Sequence, residues 1–440
     1  MRERPEDFLK RYSTTARRGF LPEETPLQRL PDPYYAPWEE LVDHLSDLTA
    51  TREIRSKVES LPVLATAHLV EEPEWQRAYS ILCFLTHAYI WGGEKAAEIL
   101  PPQLTCPLLR TSERLGLPPT ATYAALSLWN FAVKEPGSDI TDPDNLCSLH
   151  TFTGNRDEEW FYLISVALEA KGTLFIHEML KCMYAADYDD GKTVQSALEA
   201  IATGTYELGR LLERMYEHCD PQQFYYNIRP FFAGSKGMAA AGLPRGVFYD
   251  EGSGKGKWRQ LSGGSNAQSS LIQLLDVFLE VEHHATGDHS LPNDQEPSKP
   301  NPFMQEMKNY MPGVHRQFLL EMKEISTIKD YMSRPTTSND IREAYNKAVA
   351  ALVTLRDIHL RIVARYIVTP SRSRPAPYIV QKKTLNLATA SSKPQETDQS
   401  GEEKRQLQGT GGTDLISFLR RTRQETQDAS VALYRDRQCT

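Results

Sequence analysis

Cysteine is scarce and scattered: six in 440 residues, Cys83, Cys106, Cys147, Cys182, Cys219 and Cys439, with no CxxC and no clustered spacing. This excludes the familiar zinc modules and points to reduced thiols in an intracellular protein. Charge of one sign is missing as well. Lys and Arg number 50 against 58 Asp and Glu, a net charge of −8, and the isoelectric point is near 5.8. That balance argues against a broad electrostatic grip on nucleic acid. No run approaches the ~18–20 apolar residues that span a bilayer. The nearest, ILCFLTHAYIWGG, is short, carries His87 and reads as a buried core helix. The N-terminus, MRERPEDFLKRYSTTARRGF, lacks the apolar centre of a secretion signal. Its arginines (Arg2, Arg4, Arg11, Arg17, Arg18) faintly resemble a transit peptide, but Glu3, Glu6 and Asp7 argue against one. A cytoplasmic, soluble chain with no nucleic-acid or membrane partner is expected.

Familiar catalytic motifs are also absent. GSGKGKW looks like a phosphate loop, yet Trp258 follows Lys257 where Ser or Thr is needed, and Glu251 takes the place of the first glycine. HEMLK at His177 lacks the second histidine of HExxH. His283, His284 and His289 could bind a metal, but they border a Pro-rich loop, where solvated histidines are the better reading.

Helical periodicity is what the chain has in abundance. EWQRAYSILCFLTHAYIWG, EEWFYLISVALEAKGTLFIHEMLKCMYAA, TVQSALEAIATGTYELGRLLERMYEHC and DIREAYNKAVAALVTLRDIHLRIVARYIV repeat apolar residues every three or four positions. Strand-like runs are few, and the clearest, GVFYDEG, suggests a short hairpin at most. An all-α fold follows. Its length suits two or three domains. The Pro-rich stretch at 104–120 reads as a linker between a smaller, mainly helical N-terminal domain, 1–103, and a large helical domain, 121–440. Residues 383–408 are polar and poor in aromatics, as a mobile loop would be. Thr413 or Asp414 can cap the last helix.

Four stretches carry candidate chemistry, each with a plainer alternative. The stripe Ile341, Tyr345, Ala348, Leu352, Leu355, His359, Ile362, Tyr366 puts His359 on a buried helical seam. There it is either a core histidine bonded to a carbonyl or an axial ligand to a haem iron. Arg356, one turn earlier, could meet a haem propionate or merely solvent. In QFYYNIRPFFAGSKG, Pro230 should stop or kink a helix and present Arg229 beside Phe224, Tyr225 and Tyr226. That suits an aromatic amino acid, with the guanidinium forking its carboxylate, or else a surface ion pair beside core aromatics. In LSGGSNAQSS, Gly263 and Gly264 allow close backbone approach, or simply form a turn and cap. GTGGT, from Gly409, is a lid hinge or a linker.

Taken in order, GGSNAQSS, NYMPGVHRQFL, AVAALVTLRDIHLRIVARYI and GTGGTDLISFLRRTR resemble the indoleamine 2,3-dioxygenase family, and AGSKGMAAAGLPRGVFYDEG resembles its fungal branch. The resemblance runs from about Tyr123 to the C-terminal helix. It implies a large helical domain carrying haem b, with His359 as the iron ligand. Arg356 and Asp276 would support the ligand's side and a propionate. Gly264, Ser265 and Asn266 would form a strip at the haem edge. Arg229 would hold the substrate carboxylate, with Phe224, Phe161 and Tyr123 as pocket aromatics, Ser165 as the catalytic-side serine and Thr410 on a closing loop. Periodicity alone would favour Tyr225 and Tyr226 over Phe224 on Arg229's face. Asn266 stands where well-known vertebrate members have alanine, and Ser235 where they have tryptophan; both substitutions are expected to bear on the pocket.

The activity so implied inserts both atoms of O2 across the indole C2=C3 bond of L-tryptophan to give N-formylkynurenine, with ferrous haem, O2 as co-substrate and a cellular reductant, in a monomer. The alternatives are a haem protein that binds O2 without oxidising tryptophan and a dioxygenase acting on another indole.

Overall fold

The computed structural model describes residues 4–12, 18–284, 301–379 and 415–433, together with the backbone at 392–394 and 405–407. After α1 (Pro5–Lys10), three short helices, α2 (Ala36–Asp43), α3 (Leu45–Thr51) and α4 (Ile54–Glu59), lie against α5 (Glu72–Trp91). The apolar run that is too short for a bilayer is the body of α5, buried continuously from Arg77 to Trp91. His87 is locked there: its ring nitrogens meet Phe231 O at 2.7 Å and Thr120 Oγ1 at 2.9 Å. Among the described residues, no helix is long and apolar enough to cross a membrane.

The stretch expected to be a linker is mostly a helix, α6 (Pro102–Leu115), packed along α5. Pro102 sits in the first turn, where no N–H is needed, and Pro107 costs one internal hydrogen bond. A left-handed Gly116 ends the helix. The expected hairpin is present as β4 (Val247–Gly252) and β5 (Lys255–Arg259), but it is not alone. A two-residue strand from the N-terminal part, β1 (Ile99–Leu100), pairs in parallel with β4, so the reading of a hairpin at most falls short. Periodicity could not reveal a strand that short. GSGKGKW forms the turn and second strand of this hairpin. Small antiparallel pairs join β2 (Phe131–Val133) to β3 (Leu146–Ser148), and β6 (Ser392–Pro394) to β7 (Arg405–Leu407) within the segment read as a polar loop. The rest of that loop lies outside the described residues.

Long helices build the remainder. α7 (Arg156–Asp187) starts on an Asn155 cap with Asp157, Glu158 and Glu159 in its first turn, where carboxylates suit the helix dipole. α8 (Gly191–Glu213) packs between α7 and α16 (Asn339–Val363). Glycine makes the first contact close: a Cβ on Gly204 would stand 2.2 Å from the Phe175 ring. α9 (Met215–His218), α10 (Pro221–Gln223) and α11 (Arg229–Phe232) follow. Then come α12 (Ser270–Phe278), α13 (Pro302–Lys308), α14 (Gly313–Ile325), α15 (Ile328–Ser333), α17 (Thr369–Arg372) and α18 (Leu415–Asp428).

Two apolar cores result. One joins α2 to α6 with residues around Leu126, Phe224, Phe232 and Tyr366. The other joins α7, α8, α12 and α16, and takes in Phe8, Leu9, Tyr12 and Phe20 from the N-terminus. Leu168 and Leu212 pack against both.

Candidate active site

A cavity opens at the seam between the two cores. The first core gives it Tyr123, Leu126, Phe224 and Phe232; the second gives Leu208, Leu271, Leu352 and Leu355. Seams of this kind are where clefts form in folded chains. Of the twelve residues singled out in the sequence, eleven line this cavity: Tyr123, Phe161 and Ser165, then Phe224 and Arg229, then Gly264, Ser265, Asn266 and Asp276, and finally Arg356 and His359. Thr410 lies outside the described residues, as do Thr413, Asp414 and His289.

Three five-residue π-turns contribute to the lining: Ala124–Leu128, Phe224–Ile228 and Ala364–Val368. Such turns are rare and often mark functional sites. Two of them end just before a proline. Pro230 has no N–H to offer Tyr226, four residues back, and Pro370 none to offer Tyr366, so the hydrogen-bond ladder widens to i→i+5 ahead of each. In the first, Arg229 N–H donates to Phe224 O. That spacing puts Phe224 and Arg229 on one face, which ordinary helical periodicity does not. Tyr225 instead lies beneath the Arg229 guanidinium, 5.8 Å from ring centroid to charge centre. Tyr226 turns away to donate to Pro370 O and Ser373 O at 3.0 Å. Arg229 is 4% exposed; burial pulls its pKa below the ordinary value, although a guanidinium stays charged.

Aromatic rings make the wall beside it. Phe161 lies 5.0 Å from Phe224 and 5.4 Å from Phe232, while Phe224 meets Tyr366 edge-on at 5.7 Å. Ser165 donates back to Phe161 O at 3.3 Å, and the Tyr123 hydroxyl points to Ser165 O at 3.5 Å. Gln268 ties this wall to the glycine strip, accepting from Tyr123 N at 2.9 Å and donating to Gly263 O at 2.7 Å. Packing against backbone requires the first glycine, while the second faces only the movable end of a leucine side chain. A Cβ on Gly263 would stand 1.8 Å from Phe232 O, and one on Gly264 2.7 Å from Leu126 Cδ1. Past them Ser265 accepts from Ala267 N and Ser269 caps α12, so the turn-and-cap reading and the close-approach reading both describe the strip.

Among the lining residues that escaped the sequence reading, Phe232 adds a ring and two others carry polar atoms. Glu169, one turn past Ser165, is 2% exposed; it accepts from Ser269 Oγ at 2.6 Å, while its Oε2 has no partner among the described residues. Burial pushes its pKa up to about 7. A glutamate at i+4 from a pocket serine, inside the apolar run VALEA, was the available signal. Ser127 is 2% exposed, and its hydroxyl has no partner among the described residues. The Asn266 amide is likewise uncommitted. Ser235 is not in the cavity wall: its hydroxyl donates to Arg259 O and accepts from Leu261 N, tying the chain to the end of β5.

His359 faces the cavity from α16, between the buried Leu355 and Ile362. Its imidazole has no polar partner among the described residues, so no carbonyl holds it. Burial, aided by the Arg356 charge, lowers its pKa to about 4, which keeps the ring neutral. A neutral, unengaged imidazole on a rigid helix facing an apolar cavity is the donor that an axial haem site needs. The glycine strip and the free Asn266 amide supply a narrow polar edge, so the residues present fit the group.

Arg356 sits deeper in protein contacts than the sequence suggests. It forks both oxygens of Asp276 at 2.6 and 2.8 Å, and also donates to Thr422 O at 2.7 Å and to Thr426 Oγ1 on α18. Burial would raise the pKa of Asp276, but Arg356 and His283 outweigh it and hold the carboxyl below its usual range. His283 overturns its reading as a solvated residue: its side chain is 9% exposed and bridges Asp276 and Glu425 at 3.1 and 2.7 Å. Glu425, 142 residues along the chain, could not be foreseen as its partner. Among the described residues, no group of three or more His, Cys, Asp or Glu could hold a metal ion.

Comparison with known proteins shows the family. The sequence pattern of the family described as indoleamine 2,3-dioxygenase matches residues 8–429. An indoleamine 2,3-dioxygenase of Penicillium citrinum is 42% identical over 431 residues, covering 96% of this chain and 88% of the relative. The Saccharomyces cerevisiae indoleamine 2,3-dioxygenase is 38% identical over 437 residues, covering 96% and 94%. A 6-hydroxytryptophan 2,3-dioxygenase of Fusarium equiseti is 35% identical over 429 residues, covering 96% and 98%.

Proposed function

The chain belongs to the indoleamine 2,3-dioxygenase family, and on that premise we propose that it adds both atoms of O2 to the indole of L-tryptophan. The C2–C3 bond breaks and each carbon takes one oxygen, so N-formylkynurenine retains every atom of the two reactants. The observation that carries this reading is the meeting of two groups in one apolar cavity: the unengaged neutral imidazole of His359 and the buried guanidinium of Arg229.

The protein's part is positioning. Arg229 forks the substrate carboxylate. The rings of Phe161, Phe224 and Phe232 flank the indole and exclude water, with Tyr123 behind them. Ser165 is engaged with Phe161 O, which suits a residue that shapes the reacting region rather than one that removes a proton. His359 would hold the haem iron; Gly264, Ser265 and Asn266 would lie at its edge; and Asp276 and Arg356 would brace the ligand helix. When bound, haem b supplies the redox chemistry that makes O2 reactive toward indole, with a cellular reductant keeping the iron ferrous. Thr410 would close over the substrate. We further place the activity in the cytoplasm, in a monomer, with the division between a small N-terminal and a large catalytic domain falling at 104–120. A buried carboxylate-binding arginine disfavours a pure O2 carrier, which has no use for one.

A second reading concerns the indole. The uncommitted Ser127 hydroxyl and Asn266 amide can hydrogen-bond a polar ring substituent, and one relative is named for 6-hydroxytryptophan. Aerobic incubation of the reduced, haem-loaded chain with L-tryptophan and 6-hydroxytryptophan separates these. N-formylkynurenine from tryptophan supports the first reading, and product from the hydroxylated indole alone supports the second. Absence of both products, with haem bound, removes the dioxygenase assignment.

A further inference from the structure

α18 closes one side of the cavity with Leu415, Phe418, Leu419 and Thr422. Its far end is tied to α16, where Asn346 exchanges hydrogen bonds with Val431 at 2.8 and 2.9 Å. Nearer the cavity its seat is ionic. Glu425 accepts from His284 N and Arg421 Nε on Oε1, both at 2.9 Å, and faces His283 Nδ1 at 2.7 Å with Oε2. The other ring nitrogen, Nε2, faces Asp276 Oδ2 at 3.1 Å, and Asp276 in turn holds Arg356. Each imidazole nitrogen therefore meets a carboxylate oxygen. A neutral tautomer would set one lone pair against an oxygen, so the arrangement calls for the doubly protonated ring. The backbone fixes it in place: Asn301 donates from N to His283 O and from Nδ2 to His284 O. Burial lowers the basicity of His283, but the Asp276 charge and the two carboxylate hydrogen bonds outweigh it and raise the pKa to about 9.

We propose that His283 is a positioning residue, a cationic clasp that joins Asp276 on α12 to Glu425 on α18 and thereby seats both Arg356 and the C-terminal wall of the cavity. Without it Asp276 and Glu425 each lose one donor, leaving Glu425 Oε2 with none, and the wall loosens beside the helix that carries His359. The clasp itself is independent of any ligand; its consequence for haem rests on the function proposed above.

The test compares the full chain with His283→Gln, Glu425→Ala and the double variant His283→Gln/Glu425→Gln. Backbone-amide protection of residues 415–428 is measured on haem-free protein, and the rate of haem transfer to apomyoglobin on loaded protein. Each of the first two variants is expected to lose at least tenfold in protection there while α8 keeps its own, and to release haem at least tenfold faster. The double variant removes the carboxylate charge that demands a cation, so it should return to within threefold of wild type. A packing role would not be rescued in this way. Unchanged protection in both first variants, or a double variant no better than His283→Gln, overturns the proposal. If the wild-type chain takes up no haem, the cofactor reading fails, while the protection measurements still decide the clasp.

Discussion

The two sides of the cavity lining are built on different terms. Around Phe161, Phe224 and Phe232 the wall is aromatic, and the Ser127 hydroxyl and the Asn266 side-chain amide that line the same cavity have no protein partner among the described residues. Around α12, α16 and α18, Asp276, Arg356, His283 and Glu425 satisfy one another through short hydrogen bonds. Uncommitted groups in a dry wall are available to a molecule that comes and goes. Groups already paired hold a frame still. Under the function proposed above, exchange of substrate falls to the first side and rigid support of the His359 helix to the second.

The largest break in that contrast is His359→Ala. It removes the imidazole that faces the cavity, so the purified chain should lose its Soret band and turn over tryptophan at background. Next is Arg229→Ala, which empties the exchanging side of its cation. Hydrogen bonds to charged groups contribute about 1.5–3 kcal/mol each, so kcat/KM should fall roughly 150-fold while the Soret band stays. Wild-type kcat/KM in that variant would remove Arg229 from the site. Third is Glu169→Gln. Burial raises the folded-state pKa to about 7 from an ordinary value of 4.5, so between those limits the folded chain binds more protons than the unfolded one. Stability should therefore fall as pH rises from about 4.5 to about 7, by on the order of 3 kcal/mol, and level off above. Denaturant titrations at pH 5 and pH 8 should show that loss in the wild type and not in Glu169→Gln. Smallest is Ser127→Val, which takes one free hydroxyl from the aromatic side. If that hydroxyl meets a ring substituent, the ratio of kcat/KM for 6-hydroxytryptophan over tryptophan should drop about fivefold, the worth of one neutral hydrogen bond.

The helical body was legible because its periodicity is strong: the stripe from Ile341 to Tyr366 is buried as read except at His359, which is half-buried where it faces the cavity. The GGS strip was legible too, since glycine next to glycine before a capping serine has few other uses. Two kinds of feature were not. Two of the three π-turns depend on a proline two residues past the turn removing one donor, and a 3.6-residue repeat assigns Phe224 to the wrong face of such a segment. The His283–Glu425 clasp joins positions so far apart that neither neighbourhood hints at the other, and an adjacent Pro-rich loop suggested solvent. The stretch around Arg356 left it open between a propionate and solvent for the same reason, because its partners Asp276 and Thr422 come from other elements; only the family resemblance set it beside Asp276.

The most direct test of the account supplies isotopically heavy O2 to the reduced, haem-loaded chain with L-tryptophan and weighs the product. The account predicts N-formylkynurenine carrying both heavy oxygen atoms in one molecule. Product with a single heavy atom, the other drawn from water, would contradict it.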